Sequence, residues 1–334
     1  MTNIKTSVVI ATYNGEKNII QQLESLKNQT RIIDEVLIRD DCSTDSTIKL
    51  IQNYIKINNL ADNWKLEVNK QNIGWRENFI ELLKVAKGDV IFTCDQDDEW
   101  KSNKIEIMAA AFMSNQKIQV LVSDYTELVE QGGLAEKLKT IDTVKSDNKE
   151  ELAIFNSNNI YLRRPGCVYA VRKNFIPNVL EYIKGTKNPV HDQAMWGSGL
   201  LSDGLYVIHE NLISWRKHGR SSFKKEIDQA EKNTPYIKRL NDLKRRYDRL
   251  TGALNYLKEN PSIVDYDLKK KLLTDLLDEL SMRIYILNKK KFNLIIKSFF
   301  QYKTKFYFFS DIFHLYKFNY SRKNLKSKDV KNCE

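Results

Sequence analysis

The sequence predicts an α/β fold: a doubly wound, mostly parallel sheet flanked by helices, with a helical C-terminal appendage. Through the first 125 residues, short apolar runs rich in β-branched side chains alternate with amphipathic helical patterns, as is typical of a parallel sheet. From about Ile227 onward, helical periodicity dominates to the end of the chain. The chain is therefore expected to contain a sheet-based part and a helical part.

The elements of the first part follow one another at the spacing of strand–helix–strand units. The predicted strands are Ser7–Ala11, Glu35–Arg39, Trp64–Val68, Asp89–Thr93 and Ile118–Ser123. The predicted helices are Glu16–Lys27, Ser46–Asn58, Ile73–Ala86 and Lys104–Met113. Ser43 or Asp45 can cap the second helix, because a short polar side chain accepts a hydrogen bond from a free N–H at a helix start.

Residues 126–222 follow a less regular pattern. Residues 126–158 are polar and are predicted to form an excursion from the sheet. The later segments are Tyr161–Arg172, which is β-like, Phe175–Lys184 and Asp192–Leu201, which are helical, and Gly204–Ile208 and Leu212–Trp215, which are extended.

Composition excludes several classes of protein. With 334 residues, 42% of them apolar, and a mean hydropathy of −0.51, the chain can form one large soluble domain with an appendage. We expect no transmembrane helix, because no stretch of 18 residues lacks a charge. We also expect no signal peptide, because the N-terminus runs directly into a predicted strand. The four cysteines form no CxxC pair, which favours a reducing cytoplasm.

The positive charge lies in the C-terminal part. The net charge is +11, but residues 221–334 alone sum to +12, so residues 1–220 are nearly neutral. Tyr285–Tyr320 holds 13 of the 35 aromatic residues. A basic, aromatic helical region fits an anionic membrane surface or packing against protein, and it fits nucleic acid less well because no nucleic-acid-binding signature accompanies it.

Polar side chains follow three of the predicted strands, at the sheet edge where ligands bind in doubly wound folds. The three clusters are Thr12-Tyr13-Asn14-Gly15, Asp40-Asp41-Cys42-Ser43-Thr44-Asp45 and Cys94-Asp95-Gln96-Asp97-Asp98-Glu99-Trp100. The four carboxylates of the third cluster repel one another unless a cation is present, and hard oxygen ligands suit Mg²⁺ or Mn²⁺ shared with a phosphate. The sequence has neither the P-loop motif GxxxxGK[ST] nor the dinucleotide-binding motif GxGxxG. We therefore expect a nucleoside diphosphate held through a metal and side chains.

Six segments in order carry a resemblance to a known family: SVVIATYNGEKNI, DDCSTDST, NIGWRENF, GDVIFTCDQDDEW, RRPGCVYAVRKNF and HDQAMWGSGLLSDGLYVIHENLISWRKHGRSS. They resemble the signatures of family 2 inverting glycosyltransferases with the GT-A fold, most closely those of bacterial rhamnosyltransferase-like members. The resemblance implies a GT-A domain over residues 1–222, with a nucleotide-binding half to about 125 and an acceptor half from 126. It leaves residues 223–334 as a basic, aromatic helical region.

The resemblance implies a nucleotide-sugar donor and indicates which residues contact it. Asp41 matches the aspartate that accepts a hydrogen bond from N3–H of uracil or thymine, and Cys42 stands where glycine is common. The other implied nucleotide contacts are Thr12, Tyr13, Asn14, Asn72, Gly74 and Asn78. For Asn78, packing at a helix start is an alternative.

Asp95 and Asp97 form the DxD pair of the family. The resemblance places Asp97 on the metal and Asp95 near the ribose or a metal-bound water, and lets Asp98 touch the donor sugar or orient the loop. His218 can complete the metal shell or close over the diphosphate, although an ordinary surface histidine is the alternative. Arg216 and Arg220 are candidate phosphate clamps.

Asp192 stands where the family has its general base. An inverting transfer needs one carboxylate to take the proton of the acceptor hydroxyl. Helix capping alone can also explain an aspartate here. His191 can belong either to the active site or to the hydrophobic core. Asp124 can face the acceptor or be an acidic loop residue without a role in the reaction.

These residues predict an enzyme that moves a sugar, first of all rhamnose from dTDP-rhamnose, onto a lipid-linked glycan in cell-surface polysaccharide synthesis. The enzyme is expected in the cytoplasm, peripheral on the inner face of the membrane. The alternative within the family is a UDP-hexose-dependent transferase that acts on a glycoprotein. An alternative from another class is a module that binds nucleic acid or another polyanion through the basic tail.

Overall fold

The computed structural model describes residues 4–130, 138–187, 190–217, 234–302 and 304–317. The described residues fall into two compact units. The first lies within residues 1–218 and 255–264, and the second within 219–254 and 265–334. The short segment 255–264, which the sequence did not indicate, thus belongs to the first unit although it follows part of the second in the chain.

The first unit begins with a four-stranded parallel sheet in the order β3-β2-β1-β4. The strands are β1 Thr6–Thr12, β2 Glu35–Asp40, β3 Trp64–Val68 and β4 Val90–Cys94. The helices that connect and follow them are α1 Ile19–Lys27, α2 Thr47–Ile57, α3 Trp75–Val85 and α4 Lys104–Ser114. Val8, Val9 and Ile10 are fully buried, as expected for a strand covered on both faces. Asp45 accepts a hydrogen bond from the N–H of Thr47 at the start of α2.

The second half of the sheet is mixed. Its strands are β5 Glu99–Trp100, β6 Val120–Val129, β7 Thr143–Val144, β8 Glu150–Ala153, β9 Tyr169–Arg172 and β10 Leu205–Lys217. Strand β9 lies antiparallel between β4 and β6, and β6 pairs in parallel with β10. Helices α5 Ile176–Lys184 and α6 His191–Leu201 stand between β9 and β10 in the chain. The predicted α/β sheet is confirmed, but parallel pairing dominates only its first half, because an apolar run predicts a strand and not the edge it joins.

Strand β10 is one strand of 13 residues and not the two extended pieces that the sequence suggested. Its register against β6 shifts between Ile208 and Asn211 and again between Asn211 and Ser214, which explains the break in the apolar pattern. Beyond the second shift, β10 pairs antiparallel with β5, where Ser214 faces Glu99. This pairing brings the end of β10 beside the loop that follows β4.

The register of the parallel strands gathers the three polar clusters. Thr12 faces Asp40 across β1 and β2, and Ile10 faces Cys94 across β1 and β4. Because the carboxyl ends of parallel strands lie at one edge of a sheet, the loops that follow β1, β2 and β4 are neighbours.

The second unit is helical. Its helices are most of α7 Pro235–Glu259, α8 Tyr266–Lys289, α9 Phe292–Lys297 and α10, residues 305–317. At its centre, the fully buried carboxylate of Asp311 accepts hydrogen bonds from Arg239, Arg283 and Tyr302. Among the described helices, none combines the length and the apolar character needed to cross a lipid bilayer.

Candidate active site

Asp41 anchors the loop between β3 and α3. Its Oδ1 accepts hydrogen bonds from the Asn69 side chain and the Ile73 N–H, and its Oδ2 accepts one from the Gly74 N–H at 2.8 Å. A carboxylate offers about four acceptor positions, and the described donors use three of those on Asp41, leaving one on Oδ2. The Asn72 side chain donates to the Asp41 carbonyl, which ties a further predicted residue to the same loop.

Two of the predicted nucleotide contacts, Thr12 and Asn78, form hydrogen bonds beneath this loop. Thr12 is 2% exposed and donates its hydroxyl hydrogen bond to Asp40. Asn78 is fully buried, donates to the Arg39 carbonyl and accepts from Asn69. Both side chains thus hold the loop that carries Asp41, whose own side chain is equally buried at 2% exposure.

Three residues of this site have left-handed backbone conformations, and the first is Asn14 with a φ of 49°. Cys42 has a φ of 68°, and Gly74 has a φ of 86° at the position before α3. Only glycine adopts such angles without steric cost, which gives a physical reason for glycine at the Cys42 position in the family's pattern. At Gly74 the same angle turns its N–H toward Asp41, so any other residue would strain this contact.

Gln96 joins the β1 loop to the acidic loop, and sequence reasoning missed it. Its side-chain amide accepts from the Tyr13 N–H and donates to the Tyr13 carbonyl, as another strand would. A Cβ on Gly15 would lie 2.4 Å from Oε1 of Gln96, so only glycine permits this approach. Asn14 accepts from the N–H of Thr44 and so joins the β1 loop to the β2 loop. The Tyr13 ring is left 43% exposed at the edge of the site.

The acidic loop holds carboxylates at two depths. Asp95 and Asp97 are half-buried, whereas Asp98 is 1% exposed and accepts a hydrogen bond from the Arg216 N–H. One oxygen or sulfur atom from each of Asp95, Asp98 and Cys167 lies within 4.8 Å of the others. The accessible pair is therefore Asp95 and Asp97, and Asp98 anchors the loop from below.

Burial and mutual repulsion mark this loop as a place for a cation. Burial and the charges of Asp97 and Asp192 raise the pKa of Asp95 to about 7. Burial, Asp97 and Asp95 raise the pKa of Asp98 well above its usual range, and its buried Oδ2 has no hydrogen-bond partner among the described residues. Burial also raises the pKa of the Cys167 thiol, which keeps sulfur protonated. The donors left are carboxylate oxygens, which fit Mg²⁺ or Mn²⁺.

Lys104, at the start of α4, is a second residue that sequence reasoning missed. Its ammonium group is fully buried, donates to the Cys167 carbonyl at 2.8 Å and lies 4.2 Å from the centre of the Trp100 ring. Burial lowers its pKa to about 8, while Asp98 and Asp95 act in the opposite direction. The signal was a lysine on the apolar face of a predicted helix, next to Ile105.

Arg216, which was predicted as a phosphate clamp, organises the acidic loop. Its guanidinium donates to the Asp97 carbonyl, to Glu130 at 2.6 Å, and to Gln21 and Glu99. Four of its five N–H donors are thus engaged within the protein. Its backbone N–H also donates to Asp98, so one residue holds three consecutive residues of this loop, Asp97 to Glu99. The other predicted residues of this segment, His218 and Arg220, lie outside the described residues.

We expect Arg216→Met to destabilise the first unit by about 3 kcal/mol, because it leaves half-buried carboxylates without their cation. Lys17→Met is the matched control, since Lys17 pairs with the same Glu130 but is 66% exposed. Its loss should cost less than ~1 kcal/mol. Thermal unfolding of both variants measures the difference, and equal small losses would contradict the organising role.

Asp192 lies in the first turn of α6 and is not the N-cap, which is Val190. Its Oδ1 accepts a hydrogen bond from the Gln193 N–H, and no other described residue donates to its carboxylate. A Cβ on Gly166 would lie 3.9 Å from the Cβ of Asp192, and the Gly166 carbonyl accepts from Thr93, so Asp192 lies near the end of β4. The charge of Asp192 also contributes to raising the pKa of Asp95.

His191 packs beside this site as a core residue. Its ring stacks on Phe79 with 4.0 Å between ring centres and meets Trp75 edge-on. Burial lowers its pKa to about 4, so the imidazole is neutral at physiological pH.

Asp124 lies in the middle of β6, not after a strand as predicted, and belongs to a separate ionic group. Its carboxylate accepts from Arg164 at 3.0 Å and meets His209 at 3.1 Å, and the other nitrogen of His209 lies 3.4 Å from Glu151. The carboxylate of Asp124 is therefore already paired, unlike that of Asp192.

The comparison with known families identifies the domain. The family profile described as Glycosyl transferase family 2 matches residues 7–178, which is more than half of the chain. The chain belongs to glycosyl transferase family 2. The prediction of this family from the ordered motifs is thereby confirmed.

Relatives within the family carry different descriptions. TarS of Staphylococcus aureus, a poly(ribitol-phosphate) β-N-acetylglucosaminyltransferase, is 31% identical over 168 residues, which are 50% of this chain and 27% of TarS. RfbG of Shigella flexneri, a dTDP-rhamnosyl transferase, is 25% identical over 293 residues, which are 84% of this chain and 95% of RfbG. The chain thus spans about a quarter of the length of TarS and nearly all of RfbG.

Solved structures of the family share the fold. TarS 1–349 in complex with UDP superposes with a TM-score of 0.57 at 21% identity, covering 84% of this chain and 72% of that one. The complex with UDP-GlcNAc gives the same TM-score at 20% identity, covering 88% of this chain and 76% of that one. The predicted GT-A fold is confirmed.

Proposed function

We propose that this protein is a metal-dependent inverting glycosyltransferase that moves a sugar from a pyrimidine nucleotide sugar onto a glycan of a cell-surface polysaccharide. The observation that carries the proposal is the position of Asp192 on α6: a Cβ on Gly166 would lie 3.9 Å from its Cβ, and the Gly166 carbonyl accepts a hydrogen bond from Thr93 near the end of β4. An in-line displacement needs a base and a metal close to the same reacting atoms, and this position of Asp192 near the loop after β4 supports that arrangement.

The residues have separate tasks in this reaction. Asp95 and Asp97 would hold Mg²⁺ or Mn²⁺, which when bound neutralises the diphosphate leaving group. Asp192 takes the proton of the acceptor hydroxyl while the acceptor oxygen bonds to the anomeric carbon and the bond to the diphosphate breaks on the opposite side. Arg216 and Asp98 keep the acidic loop in place during this step.

We expect dTDP-rhamnose as the first donor and a UDP-linked hexose as the second. The open acceptor position on Asp41 suits the N3–H of thymine or uracil. RfbG, which this chain matches over 95% of its length, is a dTDP-rhamnosyl transferase, and TarS has been solved with UDP-GlcNAc. A screen of UDP-, dTDP- and GDP-sugars, with nucleotide release as the readout, tests this order. Tighter binding of ADP or GDP than of both UDP and dTDP would contradict the pyrimidine assignment.

We expect Asp41→Asn to weaken UDP and dTDP binding at least ~10-fold, because a hydrogen bond to a charged group contributes about 1.5–3 kcal/mol. The NH₂ group of the asparagine would also face the Gly74 N–H, so that two hydrogen-bond donors would point at each other. Asp34→Asn is the matched control, because Asp34 lies at the opposite end of β2 and accepts from Thr6. Calorimetry should show the loss for Asp41→Asn alone, and equal affinities would contradict the base-reading role.

The acceptor is proposed to be a lipid-linked glycan reached from the cytoplasm. Three free cysteines, Cys42, Cys94 and Cys167, support a reducing compartment. The same donor screen with a glycoprotein acceptor tests the alternative within the family. Salt-sensitive DNA binding without any turnover of nucleotide sugar would instead favour a polyanion-binding module.

A further inference from the structure

Helix α10 carries apolar side chains on two opposite sides. Phe308 and Leu315 are buried and pack within the second unit, on the same side as the buried Asp311. The opposite side is a row of exposed aromatic rings, which we call the aromatic face: Phe306, Phe309, Phe313 and Tyr316, with exposures of 72%, 62%, 52% and 59%. Their spacing of three and four residues places them along one side of the helix.

Exposed apolar residues also precede this helix. Ile296 in α9 is 54% exposed, and Phe300, which follows α9, is 90% exposed. A monomeric soluble protein rarely leaves so many large apolar side chains of one segment in water. Packing within the second unit accounts for Tyr302 and Phe308, but it leaves the aromatic face uncovered among the described residues.

The exposed charge of the chain segment that carries the aromatic face has one sign. Residues 285–317 contain seven lysines and a single acidic residue, Asp311. Asp311 is fully buried and paired with Arg239 and Arg283. This segment therefore has no exposed carboxylate, while its described lysines are all exposed: Lys289, Lys290, Lys291, Lys297, Lys305 and Lys317.

Some of these lysines lie directly against aromatic rings. The ammonium group of Lys317 lies 4.7 Å from the centre of the Phe313 ring. That of Lys305 lies 4.0 Å from the ring of Phe299 and 5.7 Å from the ring of Phe300. Rings that enter an apolar layer would thus be accompanied by cations at the depth of the lipid phosphates.

We propose that the aromatic face and the lysines around it bind the surface of an anionic lipid membrane. The rings occupy the boundary between headgroups and acyl chains, and the lysines meet the lipid phosphates. A second copy of this face is a poor partner, because it would bring the same lysines together without an exposed carboxylate from this segment to pair with them. A membrane supplies both the apolar layer and the negative charge.

Sedimentation of the full chain with lipid vesicles tests the proposal. The probes are vesicles of phosphatidylcholine alone and of phosphatidylcholine mixed with phosphatidylglycerol. We expect at least ~10-fold stronger binding to the anionic vesicles at low salt, weakening as salt rises. Replacement of Lys289, Lys290 and Lys291 by glutamine should remove most of this preference.

The variant Phe306→Ser with Phe309→Ser and Phe313→Ser tests the aromatic face itself. These rings are exposed, so the melting temperature should stay unchanged while vesicle binding falls at least ~10-fold. The control is Ile32→Ser with Ile57→Ser, which removes apolar side chains that are 82% and 76% exposed in the first unit. This control should bind vesicles like the unaltered chain.

Three results would overturn the proposal. The first is equal binding to neutral and anionic vesicles, and the second is unchanged binding of the serine variant. The third is a chain that does not bind vesicles but instead dimerises or binds DNA, with the serine variant losing that dimerisation or DNA binding. A concentration-dependent dimer in light scattering would make this face a contact between copies, and salt-sensitive binding to single-stranded DNA would make it a nucleic-acid surface.

Discussion

Replacing Asp192 by asparagine is expected to slow sugar transfer by about 10²–10⁴-fold, which is the usual contribution of a general base. Asparagine keeps the oxygen that accepts from the Gln193 N–H but cannot take a proton. Because Asp192 is not the N-cap of α6, the fold should lose little. Nucleotide affinity should change little as well, since the base faces the acceptor.

Transfer rate, nucleotide affinity and melting temperature are measured on one preparation of each variant. A helix-stabilising role alone predicts the opposite pattern, with at most ~2 kcal/mol of stability lost and turnover per folded molecule preserved. Asp192→Glu, which keeps a carboxylate, should recover part of the rate. If Asp192→Asn transfers sugar at the unaltered rate, another carboxylate is the base, and Asp124 is the next to test.

Asp97→Asn is expected to lower transfer at least ~10²-fold and to remove most of the affinity for Mn²⁺ in the presence of nucleotide. The melting temperature without metal should stay equal or rise. The reason is that the charge of Asp97 acts on Asp95 and Asp98, and like charges at ~4 Å cost roughly 1–4 kcal/mol. Electron paramagnetic resonance of Mn²⁺ measures the affinity independently of turnover.

The matched control for this variant is Asp89→Asn. Asp89 directly precedes β4, whereas the acidic loop follows that strand, and Asp89 accepts a hydrogen bond from the Lys5 N–H. Its replacement should leave both Mn²⁺ affinity and transfer unchanged. Full activity of Asp97→Asn in the presence of a chelator would contradict the metal assignment.

The sequence was informative where function depends on strand order and strand ends. Asp41 and Asp97 follow apolar runs that could be recognised as parallel strands, and such strands end at one edge of a sheet. It could therefore be predicted without coordinates that Asp41 and Asp97 lie at the same edge of the sheet. The role of Asp192 was predicted only from the resemblance, because the local sequence does not distinguish a general base from an aspartate at a helix end.

The sequence was uninformative where a role depends on a distant partner. Arg216 lies in a basic segment that resembles a phosphate site, but its partner Glu130 stands 86 residues earlier in the chain. Thr12 and Asn78 lie in the right motifs, and only the surrounding packing shows that they face inward. The antiparallel insertion of β9 was missed for the same reason, since strand direction is decided by tertiary contacts.

The contacts of Arg216 also bear on the order in which the domain can assemble. Its guanidinium reaches Gln21, 195 residues away, and the carbonyl of Asp97, 119 residues away. A chain emerging from the ribosome exposes the acidic loop long before this arginine is synthesised. Folding contacts of such large sequence separation form late and slowly. A fragment that ends at residue 125 would therefore carry every acid of the loop and still lack the guanidinium group of Arg216, so the acidic loop acquires its shape only when nearly the whole first unit has been made.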